Sequence, residues 1–126
     1  MRPYISPLVS LFQSNANPAQ AAPMKKYMRD QFEYLGIKSP QFKELMKQHV
    51  AKHGFPPAEE LDSIARELWT LPQREFQYAA TSLIGRMETK LPKDFTKTFE
   101  HLITHKSWWD TVDTLAGGAI GVHFQR

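Results

Sequence analysis

Apolar residues recur three and four positions apart along most of the chain, as they do on the buried face of an α-helix. The pattern is strongest in residues 61–69 and 76–87. No stretch alternates apolar and polar residues as a half-buried strand does. The pattern therefore predicts an all-α protein. Weaker helical stretches lie at residues 4–12, 24–28, 42–50 and 95–103.

Prolines mark the expected helix starts, because the first residue of a helix needs no backbone N–H donor. Ser107, followed three residues later by Asp110, has the spacing of a capping box and predicts a helix that begins at Trp108. Gly117 and Gly118 offer a place for that helix to end. The earlier starts are expected at Asn17-Pro18, Ser39-Pro40, Pro57, Pro72 and Pro92.

The helices and the loops between them are short, which favours a stack of helix pairs. A shift of about 33 residues, within the range of helical repeats, aligns Phe76 with Trp109 and Ala80 with Asp113. We expect an α-solenoid of stacked antiparallel helix pairs, in which the second helices line one concave surface. A chain of 126 residues suits a single such domain, residues 1–126.

Composition narrows the class of protein further. Cysteine is absent, which excludes disulfides, thiolate catalysis and cysteine-bound zinc and fits a reducing compartment. No apolar run approaches the roughly 20 residues that cross a bilayer, and the N-terminus lacks the pattern of a signal peptide. We therefore expect a cytoplasmic protein with no membrane partner.

Basic residues are concentrated in residues 24–53, where seven lysines and arginines accompany three acidic residues in a chain of net charge +3. Such a surface could lie along a polyanion, because lysine and arginine displace counterions from phosphates. From charge alone, a solvated helix surface is the simpler interpretation. The seven residues are Lys25, Lys26, Arg29, Lys38, Lys43, Lys47 and Lys52.

Two adjacent tryptophans lie in the helix expected after Ser107. Successive helical residues turn by about 100°, so the two indoles cannot share one face. Trp108 continues an apolar stripe, whereas Trp109 shares another face with Asp113 four residues later. The spacing predicts an exposed indole beside a carboxylate. The simpler alternative makes Trp109 a packing residue and Asp113 a surface acid.

Two histidine pairs, His49/His53 and His101/His105, have the four-residue spacing that places both imidazoles on one helical face. This spacing could hold a metal ion. No third ligand accompanies either pair and no glutamate stands between them as in a metalloprotease helix. We therefore interpret them as surface histidines and expect no metal.

Four short motifs follow one another in order along the chain, and together they resemble the N-terminal half of the DNA alkylation repair family, the HEAT-like-repeat DNA glycosylases. The likeness extends over residues 4–121. The motifs are residues 27–32 leading into Leu35-Gly36-Ile37, Glu67-Leu68-Trp69, Arg74-Glu75-Phe76-Gln77, and the Trp-Trp-Asp-x-Val-Asp sequence of residues 108–113.

This resemblance implies an enzyme that removes cationic N3- and N7-alkylated purines from duplex DNA, as a monomer and without metal or cofactor. Trp109 and Asp113 match the catalytic tryptophan and aspartate of the family, and Tyr27 matches an aromatic residue of its DNA-facing cleft. DNA contacts are then also expected from Lys25, Lys26, Arg29 and Lys106.

The resemblance also implies that the chain is the N-terminal part of a longer domain. Family members continue past the position of Arg126, and their later repeats carry an arginine and another tryptophan that complete the lesion cleft. The alternative function is a non-catalytic helical-repeat module that binds DNA or protein. Fold alone does not separate the two.

Overall fold

The computed structural model describes residues 2–105, and they form α-helices joined by short loops. No strand forms within this part of the chain, where an isolated parallel bridge joins Glu33 to Gln73. The prediction of an all-α protein is therefore confirmed. The helices are α1 (Ile5–Ser14), α2 (Pro18–Tyr27), α3 (Ser39–His53), α4 (Leu61–Thr70), α5 (Arg74–Arg86) and α6 (Thr96–Thr104).

Most helix starts lie where the sequence predicts them. The Asn17 side chain accepts hydrogen bonds from the backbone N–H groups of Ala19 and Gln20 and so caps α2. Pro40 occupies the first turn of α3. The prolines at 57 and 92 precede short 3₁₀ helices, Ala58–Glu60 and Lys93–Phe95, which lead into α4 and α6.

The described residues divide into two compact units. The first unit comprises the chain up to Phe55 together with Leu71–Phe76, and in it α1 packs against α3. Phe12 lies at its centre with no exposed surface. The ring of Phe12 stacks on Phe76 at 5.8 Å between centroids and meets the edge of Phe42 at 5.7 Å.

The second unit comprises Pro56–Thr70 and the described residues from Gln77 onward, and in it α4 packs against α6. Trp69 is 2% exposed, and its indole N–H donates a hydrogen bond to the carbonyl of His105. The apolar ring of the indole is thus buried, and its polar N–H has a hydrogen-bond partner. Other fully buried members of this core include Leu61, Ile64, Leu68, Phe95 and Phe99.

Some predictions fall outside the described residues. They are the helix expected to begin at Trp108, its end at Gly117 and Gly118, and the alignment of Phe76 and Ala80 with Trp109 and Asp113. Within residues 2–105, no helix is both long enough and apolar enough to span a bilayer.

Candidate DNA-binding surface

The C-terminal end of α2 is built so that its polar residues face solvent. The N–H groups of Arg29 and Asp30 bond to the carbonyls of Lys26 and Lys25 at 3.0 and 2.9 Å, which satisfies the last carbonyls of the helix. Arg29 and Asp30 both take left-handed backbone angles, with φ of 55° and 58°. Met28 is buried and anchors the turn. The helix thus ends at Tyr27, and a turn follows directly.

Three of the residues predicted to bind DNA are exposed together at this turn. Tyr27 leaves 73% of its surface in solvent, and Lys26 and Arg29 are exposed as well. A large aromatic side chain left this open buries little apolar area of its own. The arrangement therefore presents one aromatic ring and two positive charges to a partner.

Lys25 differs from these neighbours because it already has a partner. Its Nζ lies 2.8 Å from Oε1 of Glu33. The hydrogen bond and charge of Glu33 raise the pKa of Lys25. Any phosphate contact by Lys25 must therefore compete with Glu33.

Residues 33–37, called segment 33–37 below, lie against α2. Leu35 accepts a hydrogen bond from the N–H of Asn17 at 2.8 Å. Gly36 has φ of 95° and approaches α2 so closely that an added Cβ would lie 1.9 Å from the carbonyl oxygen of Asn17. Glycine is required here by both backbone angle and space.

The Arg74-Glu75-Phe76-Gln77 motif is buried in its entirety. The guanidinium of Arg74 lies 3.8 Å from the ring centroid of Phe32, a cation–π contact. Glu75 accepts three backbone hydrogen bonds from segment 33–37. The motif therefore has an internal, structural role, which its resemblance to the family does not reveal.

The interpretation of the histidine pairs as surface residues is wrong for His49. It is 2% exposed, its ring meets that of Tyr4 edge to face at 4.8 Å, and its Nε2 has no hydrogen-bond partner among the described residues. Burial, together with the nearby charge of His53, lowers the pKa of His49 to about 4. The buried neighbours Leu45 and Met46, four and three residues earlier, are the sequence signal that could have revealed this.

The other pair lies at the end of α6. The rings of His101 and His105 stack at 4.1 Å, and Nδ1 of His105 lies 2.8 Å from the carbonyl oxygen of His101. No group of three or more side chains suited to a metal ion forms within residues 2–105. Neither histidine pair therefore gains a third ligand from this part of the chain.

The second unit contains a polar cleft of about 280 Å³ between α4 and the start of α6. Asp62 accepts hydrogen bonds from Arg66 at 2.6 Å and from the hydroxyl of Thr98. Burial raises the pKa of Asp62, but the two hydrogen bonds and the charge of Arg66 outweigh it, so the net shift is downward. These groups satisfy one another, which is typical of a structural network.

Lys106, Trp109 and Asp113, the remaining predicted site residues, lie outside the described residues. The proximity of Trp109 to Asp113 is therefore still a prediction from helical spacing.

Comparison with known proteins relates these features to a family. The DNA alkylation repair enzyme family matches residues 8–126. The chain belongs to this family. The alkylation repair fold is a helical repeat, in agreement with the predicted solenoid of helix pairs.

One solved structure similar to the chain is described as a predicted DNA alkylation repair enzyme from Enterococcus faecalis. It shares 29% sequence identity with a TM-score of 0.75, and the match covers 87% of this chain. The chain spans 53% of the length of that protein. No protein of curated function matches the chain.

Proposed function

We propose that this member of the DNA alkylation repair family acts in DNA repair as a glycosylase, hydrolysing the N-glycosylic bond of cationic N3- and N7-alkylated purines in duplex DNA. The observation that carries the proposal is the exposure of Tyr27 between Lys26 and Arg29 at the end of α2. In a chain of this family, an exposed ring flanked by two cations is suited to a nucleic-acid backbone.

DNA binding is assigned first to the exposed side chains at the end of α2. Lys26 and Arg29 are exposed and can neutralise phosphates directly. Tyr27 can pack against sugar or base. Lys25 contributes less, because it must exchange Glu33 for a phosphate. Lys106 is assigned a phosphate contact on the family resemblance alone.

Asp113 and Trp109 are assigned the catalytic roles. An alkylated purine already carries a positive charge, so its glycosylic bond is weak and the leaving base needs no proton. As that bond lengthens, positive charge moves to the deoxyribose. The Asp113 carboxylate would stabilise this charge, an effect often worth about 10²–10³ in rate for a single group. Trp109 would hold the cation by aromatic contact, worth roughly 0.5–2 kcal/mol.

Single-turnover release of 7-methylguanine from methylated duplex DNA tests the proposal. We expect Asp113→Asn to keep the shape of the site and most of the DNA affinity, and to slow release about 10²–10³-fold because the negative charge is lost. Asp94→Asn, which removes the charge of an exposed acid in the second unit, is the matched control and should release base at the unchanged rate.

Two outcomes would redirect the assignment. Release by Asp113→Asn at the wild-type rate would remove Asp113 from the mechanism. Salt-sensitive binding of duplex DNA without any release by the wild-type chain would favour the non-catalytic module.

A further inference from the structure

Glu75 is a fully buried carboxylate that binds three successive backbone N–H groups. Its Oε1 accepts from Leu35 at 2.9 Å, and its Oε2 accepts from Gly36 at 3.0 Å and Ile37 at 3.1 Å. Hydrogen bonds to an ionised acceptor are about twice as strong as neutral ones. A buried charge held in this way fixes the backbone that it contacts, because releasing any of the three donors would leave polar groups unpaired.

The backbone held by Glu75 is in turn attached to α2 at both ends of the helix. Near the start of α2, the N–H of Asn17 donates to the carbonyl of Leu35 at 2.8 Å. Near its end, Lys25 pairs with Glu33 at 2.8 Å. Segment 33–37 is therefore bonded to α2 near both of its ends.

Arg74, the residue before Glu75, also holds segment 33–37. The N–H of Arg74 donates to the carbonyl of Glu33 at 2.8 Å. Gly36 allows close contact with α2, since a Cβ there would lie 2.9 Å from the backbone nitrogen of Ala21 in addition to its clash with Asn17. The start of α5, segment 33–37 and α2 are thus joined by hydrogen bonds in one continuous series.

We propose that Glu75 is a positioning residue for DNA binding: by fixing segment 33–37, its carboxylate holds α2 and presents Lys26, Tyr27 and Arg29 to the duplex. This inference rests on the proposed function for its DNA partner. It adds a role for a buried residue that does not touch DNA.

Glu75→Gln is the direct test, because glutamine has the same size but replaces one acceptor oxygen with an NH₂ group that would face backbone donors. We expect Kd for methylated duplex DNA to rise about tenfold, since a small misplacement of binding groups has effects of at least this order. The rate of 7-methylguanine release at saturating DNA should change much less. Such a split separates binding from chemistry.

Gln77→Met is the matched control. Gln77 lies two residues later in α5, is also fully buried, and also binds backbone, through its side-chain N–H and the carbonyl of Leu68 at 2.9 Å. Gln77→Met loses this buried hydrogen bond to Leu68, whereas the three hydrogen bonds of Glu75 to segment 33–37 remain. We expect this variant to lower the urea midpoint of unfolding but to leave Kd for DNA unchanged. A loss of DNA affinity that follows stability equally in both variants would overturn the proposal.

A comparison in a mutant background tests whether Glu75 acts through α2. In the Lys26→Ala, Tyr27→Ala, Arg29→Ala background, Glu75→Gln should weaken DNA binding by less than twofold further, because the groups that it positions are already gone. A full tenfold loss in that background would contradict the proposal. If Glu75→Gln fails to fold, Glu75→Asp, which keeps the charge on a shorter side chain, should still raise Kd above the wild-type value, and an unchanged Kd would contradict the proposal.

Amide hydrogen exchange without DNA distinguishes this inference from the proposed function. We expect faster exchange in α2 and at Leu35 to Ile37 in Glu75→Gln, but not in Gln77→Met. Unchanged exchange in α2 would overturn the positioning role even if the wild-type chain binds DNA. Failure of the wild-type chain to bind or cleave would instead refute the proposed function, while the exchange result would still report on Glu75.

Discussion

The end of α2 and the first turn of α5 both belong to motifs by which the sequence resembles its family, yet their environments are opposite. Tyr27 is 73% exposed, whereas Glu75 is fully buried and Phe76 is 1% exposed. The first region directs its side chains to solvent. The second directs them to backbone amides and aromatic rings of its own unit.

The contrast shows that a family motif does not reveal the role of its residues. A buried charge is tolerated only with partners, and Arg74 and Glu75 have them in Phe32 and segment 33–37. These residues therefore support the fold. An exposed tyrosine contributes little to the core, and this exposure supports the DNA contact proposed for Tyr27.

The largest expected effect tests how rigidly the buried region is held. Gly36→Ala should destabilise the protein by about 3 kcal/mol or more, because its φ of 95° and the clash with Asn17 both oppose a side chain. Urea unfolding at pH 7 would measure the loss.

Gly85→Ala is its control, since no atom lies within 4 Å of a Cβ added at Gly85 in α5. That change should stabilise the protein by about 0.5–1 kcal/mol, as alanine favours helix. Equal effects of the two substitutions would show that segment 33–37 yields easily, and the contrast between the two regions would weaken.

The sequence predicts the helices better than it predicts the contacts between residues far apart in the chain. Five of the six described helices follow from the three- and four-residue spacing of apolar positions, because that spacing is a local property. The exception is α2, which buries no residue and whose start follows from the Asn17-Pro18 signal. Glu75 bonds residues 38 to 40 positions earlier in the chain, and no local pattern encodes such a contact. The roles of Tyr27 and Asp113 follow from the family resemblance, and the geometry around Asp113 stays a prediction.

A second prediction extends the comparison of buried and exposed groups to α3. His49 is buried with its pKa lowered to about 4 from 6.5. As the pH falls below 6.5, histidine in the unfolded chain gains a proton while His49 in the folded chain stays neutral. The free energy of unfolding should therefore fall by about 2–3 kcal/mol between pH 6.5 and 4. Well above pH 6.5 the imidazole is neutral in both the folded and the unfolded chain, so His49 adds no pH dependence there.

Urea unfolding of wild type and His49→Phe at pH 7 and pH 4.5 isolates this effect. His101, whose pKa burial also lowers, titrates in both proteins and cancels from the difference. The variant should lose less stability on acidification than wild type, whereas His53→Ala, at an exposed position on the same helix, should retain most of the pH dependence. An identical pH dependence in His49→Phe would show that another group is responsible.

The smallest expected effect concerns the exposed region, where two adjacent lysines differ in one contact. Lys26 is exposed, whereas Lys25 pairs with Glu33 at 2.8 Å. The plot of log affinity for undamaged duplex DNA against log salt concentration should flatten by about one unit in Lys26→Ala, since one phosphate contact is lost. Lys25→Ala should flatten it less, because Lys25 must leave Glu33 to reach a phosphate. Neither of these two substitutions should alter the urea midpoint appreciably, because exposed charges contribute little to stability. A salt slope that is unchanged in both variants would place the DNA path away from the end of α2.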